Sequence, residues 1–238
     1  MSTLAPQLLL EIGLSKEHSF DNYVSPNDSD LGKRLKHAVF ESKQPFVYLV
    51  GPKDCGKTHL SIAMHNAAIK RDLKSYYVSC RDVKGTMTGA EFHTYLDHLK
   101  SFDVLIVDGV ESFFGDTDFE LALFSLYNHY RDQNLQLVCS ARDLPVHLGI
   151  ELADLDSRMR SGLTVSVQQL SEGEMKQALD RRAQERGIVL SDDVINFIYL
   201  RSSRSLGALL GVLDRLDHAQ LVEKRSLTVP FVKKVLGL

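Results

Sequence analysis

The chain has 238 residues, enough for one large domain or a medium domain with a small one beside it. Its 44% hydrophobic and 25% charged residues are ordinary for a globular protein and exclude disordered and fibrous classes. A net charge of -3, with both signs interspersed, provides no overall basic field and argues against strong non-specific nucleic-acid binding.

Cys55, Cys80 and Cys139 are far apart and show no CxxC spacing, the pattern of reduced thiols in a cytoplasmic protein. No apolar stretch approaches the length of a membrane span, so no membrane association is expected. The leucine run at 8–10 lacks a preceding basic region and is followed by Glu11, which excludes a secretory signal. The nine histidines are scattered without ligand spacing, so no zinc site is expected.

Residues 1–29 are irregular, with Pro6, Gly13, Pro26 and the turn-forming Asn27-Asp28-Ser29. Residues 30–42 have helical spacing, with Leu31, Leu35, Ala38 and Val39 on one face. Phe46-Val47-Tyr48-Leu49-Val50 reads as a buried parallel strand. A helix over 58–71 follows, then a strand over 74–80 and a helix over 90–99. Asp103-Val104-Leu105-Ile106-Val107-Asp108 is the strongest buried-strand signal. An amphipathic helix over 119–132 separates it from strands at 136–140 and 163–167. Phe113-Phe114, Tyr127 and Tyr130 read as packing residues. Alternating strands and helices predict a parallel sheet covered on both faces.

After Gln169 only helices are predicted, over 172–186, 191–201, 206–224 and 230–236. Ser171 and Glu174 have capping-box spacing at the first. The expected fold is therefore an α/β domain followed by a small all-helical domain.

Gly51-Pro52-Lys53-Asp54-Cys55-Gly56-Lys57-Thr58 matches G-x-x-x-x-G-K-[ST] and lies between a predicted strand and a predicted helix, the context that makes this a specific signal. The glycines let backbone N–H groups turn toward phosphate oxygens, and the helix N-terminus adds a positive dipole end. Lys57 would reach the outer phosphates, and the Thr58 hydroxyl would ligate Mg²⁺. His59 starts the helix, where a structural role competes with phosphate contact. Asp108, ending an apolar strand, is the second expected Mg²⁺ residue. Hydrolytic P-loop proteins usually place a second acid beside it, whereas here Gly109 follows. Glu111, three residues on, is left as an open substitute.

A P-loop α/β domain followed by a helical lid resembles the AAA+ ATPases, and among them the DnaA/Hda family. Phe20-Asp21-Asn22-Tyr23-Val24 resembles the stretch that lines the adenine side of that family's pocket, which implies nucleotide contacts from Phe20 and Tyr23. Ser140-Ala141-Arg142-Asp143-Leu144-Pro145 resembles the first sensor, with Ser140 at the sensing position. Leu155-Asp156-Ser157-Arg158-Met159 resembles the box whose arginine reaches a neighbouring subunit's ATP. Thr228-Val229-Pro230-Phe231-Val232-Lys233 resembles the end of the lid, particularly in the Hda branch. Gln7-Leu8-Leu9-Leu10-Glu11-Ile12 is similar to the peptide that binds the sliding clamp of DNA polymerase III. Gln7, Leu8, Leu10 and Ile12 would enter the clamp's groove. Standing alone, such a terminus is more often a strand or a packing segment.

The resemblance implies a clamp-binding segment at 1–18, a nucleotide-binding AAA+ domain at 19–168 and a lid at 169–238. It implies ADP or ATP with Mg²⁺ as cofactors. The implied partners are DnaA, the clamp, DNA through the clamp, and a second copy of the chain. The lid's usual second-sensor arginine is replaced by Gly207, with Arg204 one turn earlier. Gly109 and Gly207 together imply a protein that holds a nucleoside diphosphate and turns over slowly. The implied activity is negative regulation of replication initiation, with Arg158 supplied in trans to ATP on DnaA. A helicase-loader type of AAA+ protein, or an active P-loop enzyme such as a small-molecule kinase, is the competing reading.

Overall fold

The computed structural model describes residues 18–26, 29–42, 44–203, 205–223 and 227–238. These form two compact units, the first covering the described residues up to Gln168 except Pro26, and the second covering those from Gln169 on together with Pro26.

In the first unit, helix α1 (Leu31–Phe40) precedes strand β1 (Phe46–Val50), and the P-loop leads into α2 (Lys57–Ile69). Then come β2 (Ser75–Ser79), α3 (Cys80–Thr86), α4 (Gly89–Thr94), α5 (Leu96–Leu99) and β3 (Val104–Asp108). After these, α6 (Thr117–Asp132), β4 (Gln136–Ala141), α7 (Ala153–Arg160) and β5 (Leu163–Ser166) complete it. The strands form a parallel sheet in the order β2-β3-β4-β1-β5.

Alternation along the central strands sends successive side chains to opposite faces. Val47, Leu49, Ile106 and Val138 join Leu35, Leu60 and Met64 beneath α1 and α2. Tyr48, Leu105, Val107, Leu137 and Cys139 join Phe92, Phe113, Phe119 and Leu123 on the other face. Both faces being covered explains the continuous apolar runs of β1 and β3. Phe113 is fully buried and stacks on Phe119 at 4.6 Å between ring centroids, and Tyr127 and Tyr130 are also buried.

Three local features depart from the sequence expectation, the first being α7, for which no helix was expected between the strands at 136–140 and 163–167. The helix expected over 90–99 is divided at Tyr95, whose φ of -90° and ψ of -7° tighten the backbone, so that its N–H donates to Phe92 O at 3.0 Å. The break lets Phe92, Leu96 and Leu99 all enter the core, while Tyr95 OH meets Tyr76 OH at 3.3 Å. The short helix α3 was not expected; Ser79 Oγ caps it by accepting the Asp82 N–H, and Cys80 and Val83 bury its inner side.

The second unit comprises α8 (Glu172–Glu185), α9 (Asp192–Arg201), α10 (Leu206–Glu223) and α11 (Val229–Leu236). Leu179, Ile198, Leu209, Leu213, Leu216 and Val232 form its core. The Ser171–Glu174 capping box is formed, with the Ser171 N–H donating to the Glu174 carboxylate at 2.7 Å. None of the helices is long and apolar enough to cross a membrane, among the described residues.

Candidate phosphate-binding site

The P-loop is shaped by close packing at its first glycine. A Cβ on Gly51 would lie 2.1 Å from Val167 O and 2.8 Å from Cys55 Sγ, so only glycine fits between the loop and the strand end. Asp54 (φ 62°) and Gly56 (φ 101°) both adopt the left-handed region, which turns the loop into a concavity closed by the N-terminus of α2. Lys57 Nζ donates to Gly51 O at 2.7 Å and Pro52 O at 2.8 Å, holding the ammonium at the mouth of that concavity. Pro52, Lys53 and Asp54 are exposed, whereas Cys55 is buried. Burial pushes its thiol up from the ordinary cysteine range.

Phe20 and Tyr23 pack into the cluster beneath α1 and α2, and Tyr23 closes over Gly56, where an added Cβ would stand 3.1 Å from its ring. The Tyr23 hydroxyl is buried and has no hydrogen-bond partner among the described residues, and burial raises its pKa well above the usual tyrosine value. His59 points to this segment: its Nε2 lies 3.0 Å from Ser19 O, and its ring contacts those of His18 and Tyr23.

Asp108 is the hub of the site. Oδ2 accepts from Thr58 Oγ1 at 2.8 Å and from Tyr77 OH at 2.9 Å. Oδ1 accepts from Ser140 Oγ and, at 3.4 Å, from Ser61 Oγ. The Gly109 N–H in turn donates to Ser140 Oγ at 3.0 Å. Burial first, and then the Asp108 charge, raises the Tyr77 hydroxyl. Ser61 and Tyr77 were missed by sequence reasoning. Ser61 follows Thr58 by three residues on α2, a spacing that places both on one helix face, but Tyr77 on β2 carries no local signal.

Lys57, Thr58, Asp108 and Ser140 thus line one cavity of about 860 Å³, together with Lys53 and Asp54. The set fits a polyphosphate with a divalent cation: left-handed backbone, a lysine at the mouth, a helix N-terminus, and a hydroxyl–carboxylate pair at Thr58 and Asp108 that could ligate the metal. Arg204 and Gln7, Leu8, Leu10 and Ile12 lie outside the described residues.

Arg158 lies apart from this cavity, half-buried on α7, with its guanidinium carbon 6.0 Å from the Tyr127 ring centroid. The neighbouring Arg160 binds Asp156 through both carboxylate oxygens, at 2.9 and 2.5 Å. Arg158 itself has no carboxylate partner among the described residues.

The Gly51 packing carries a prediction. Gly51→Ala should destabilise the first unit by about 1–3 kcal/mol through overpacking against Val167, measurable by denaturant unfolding. An unchanged midpoint would show that the loop relaxes freely.

Comparison with known proteins agrees with this architecture. The model of the bacterial DnaA ATPase domain matches residues 14–170, and the model of the Hda lid domain matches residues 172–236. An uncharacterized protein of Haemophilus influenzae is 33% identical over 233 residues, covering 98% of this chain and 99% of that one. The crystal structure of domain III of the replication initiation protein DnaA from Thermotoga maritima aligns with a TM-score of 0.77 at 20% identity, over 92% of this chain and 95% of that chain. AMPPCP-bound DnaA from Aquifex aeolicus aligns with a TM-score of 0.69 at 23% identity, over 84% and 65% respectively. With more than half its length matched by the ATPase-domain model and the Hda-type lid after it, the chain belongs to the DnaA-related AAA+ family of replication proteins.

Proposed function

We propose that this protein is a negative regulator of replication initiation that accelerates hydrolysis of ATP bound to DnaA. Arg158 carries the reading: among the described residues it has no carboxylate partner, while its neighbour Arg160 takes up Asp156. Half-buried and free of a carboxylate, the Arg158 guanidinium suits the phosphates of another molecule. Supplied in trans, a guanidinium stabilises the charge of the phosphoryl-transfer transition state and is worth about 10³–10⁵ in rate.

The protein's own nucleotide, ADP or ATP, sits in the P-loop. Backbone N–H groups and Lys57 bind its phosphates, Thr58 and Asp108 hold Mg²⁺, and Ser140 reads the outer phosphate. Phe20 and Tyr23 cover the base side. Mg²⁺ supplies charge neutralisation along the phosphate chain. The dispersed hydroxyls around Asp108 keep that carboxylate oriented toward the loop.

Gln7, Leu8, Leu10 and Ile12 dock on the sliding clamp, which places the protein on DNA although its net charge of -3 supplies no overall basic field. Deleting residues 1–13 should abolish binding to immobilised clamp and leave nucleotide affinity unchanged. Retained clamp binding would remove the tether from the mechanism. The function as a whole is tested by adding the unmodified protein to ATP-loaded DnaA with clamp-loaded DNA, where hydrolysis should accelerate.

A further inference from the structure

Asp108 closes β3 at the level where Ser79 of β2 and Ser140 of β4 stand on either side of it. Its carboxylate therefore receives donors from both neighbouring strands as well as from α2. Ser140 Oγ reaches Oδ1 from β4, and Tyr77 OH, two residues before the end of β2, reaches Oδ2 at 2.9 Å. Thr58 and Ser61 on α2 add one bond each, at 2.8 Å to Oδ2 and 3.4 Å to Oδ1. An ionised carboxylate offers about four lone-pair positions, so four hydroxyls leave none open to a cation.

Among the described residues hydroxyls alone take up the Asp108 charge, because Lys57 Nζ turns instead to Gly51 O and Pro52 O. The four donors are not equivalent toward a divalent cation held by Thr58 and Asp108. Thr58 presents its own oxygen to such a cation and gives up its bond to Oδ2 in doing so. Ser140 and Ser61 occupy the other oxygen, and the Gly109 N–H fixes Ser140 Oγ from behind at 3.0 Å. Tyr77 is different: strand pairing with β3 fixes its backbone, and its hydroxyl ends on the same oxygen that Thr58 uses. Burial, and after it the Asp108 charge, raises its pKa well above the usual tyrosine value, so it remains a donor.

We propose that Tyr77 sets the metal affinity of the P-loop site: its hydroxyl competes with a divalent cation for Asp108 Oδ2 and keeps cation binding weak. The proposal rests on the nucleotide-binding reading above. Orientation of the carboxylate by Tyr77 would act in the opposite direction, but it is the smaller effect. With the Tyr77 hydroxyl removed, Ser140 and Ser61 still fix the carboxylate through Oδ1, whereas a position opens on Oδ2. Weak cation binding lets the P-loop keep a nucleoside diphosphate with little help from metal. It also slows a hydrolysis that needs metal charge on the phosphates.

The test uses the full chain saturated with ADP, with Mn²⁺ as the probe and free Mn²⁺ read by electron paramagnetic resonance. Tyr77→Phe removes the hydroxyl and keeps the ring. It should tighten Mn²⁺ binding by about tenfold, the size of one hydrogen bond to a charged group, while ADP affinity in EDTA stays unchanged. A bond of structural importance only would loosen the site when lost, so the direction separates the two roles. Should Tyr77→Phe fail to fold, Ser61→Ala, which frees a position on the other oxygen, carries the same direction with a smaller gain. Equal or weaker Mn²⁺ binding by the variant overturns the assignment, and so does a fall in its ADP affinity in EDTA. Unmodified protein that binds no ADP, with or without Mn²⁺, would overturn the nucleotide-binding reading as well.

Discussion

Glu120→Ala should destabilise the α/β unit by on the order of 3–5 kcal/mol. Glu120 is on α6, has no exposed surface, and is the one acid in the chain's described core. Its carboxylate accepts the Gly115 N–H at 2.9 Å, the Leu152 N–H at 2.7 Å, and the Glu151 N–H at 3.1 and 3.2 Å. These donors belong to the turn before α6 and to the lead into α7, whose own N-cap, Leu152, offers no side-chain acceptor. Truncation therefore orphans three backbone N–H groups at once, each costing about 1–3 kcal/mol when buried unpaired. Glu120→Gln retains one acceptor oxygen but turns an NH₂ group toward an N–H, so it should recover only part of the loss. At roughly 2–4 °C per kcal/mol for a chain of this size, the melting midpoint of Glu120→Ala should fall by roughly 10 °C. A shift of only a degree or two would mean that water replaces the carboxylate.

The same contacts bear on the proposed role of Arg158, because α7 carries it. Leu155 and Met159 bury the inner side of α7, and Tyr127 OH on α6 meets Ser161 Oγ at 2.8 Å at its other end. Carboxylate at the start and hydroxyl at the end hold the helix against α6.

The parts of the molecule legible in the sequence are those encoded by local spacing. The apolar runs of β1 and β3, the alternation of strands with helices, and Gly51, Gly56, Lys57 and Thr58 can all be read from neighbouring residues. Ser171 with Glu174 announced the cap of α8 in the same way. Helix α3 was hidden because Gly85 and Thr86 weaken a seven-residue segment with only two buried residues. The break at Tyr95 was hidden because 3.6-residue periodicity continues across it, and only the packing of Phe92, Leu96 and Leu99 in three dimensions imposes it.

The ligand-facing chemistry was less legible. The four donors to Asp108 come from α2, β2 and β4, brought together by strand register: Ser79 and Ser140 both pair with Asp108, which sets Tyr77 and Ser140 around one carboxylate. Nothing local in the sequence encodes that convergence. Glu120 likewise reads as one more acid on an amphipathic helix until its three donors are seen. Arg158 stood out only through the resemblance of its surroundings to a family box, since a lone arginine among Glu151, Asp154 and Asp156 otherwise reads as a surface ion pair.

Arg158→Ala should leave this protein folded and its own nucleotide bound. The side chain gives up no ion pair, only a contact with the Tyr127 ring at 6.0 Å, worth about 0.5–1 kcal/mol at a partly exposed site. Its effect should fall instead on the partner's ATP. A guanidinium contributes a rigid, permanently charged fork that matches two phosphate oxygens at once, and alanine removes the charge together with the geometry. Arg158→Lys keeps the charge as a single mobile point and loses the fork, so it should recover only part of the activity.

The decisive measurement is single-turnover hydrolysis of ATP on DnaA in the presence of clamp-loaded DNA, with the unmodified protein or Arg158→Ala added. The unmodified protein should accelerate hydrolysis and Arg158→Ala should lose that acceleration, by a factor approaching about 10³. Equal stimulation by the two would contradict an arginine acting in trans, and no stimulation by the unmodified protein would contradict the regulatory function itself.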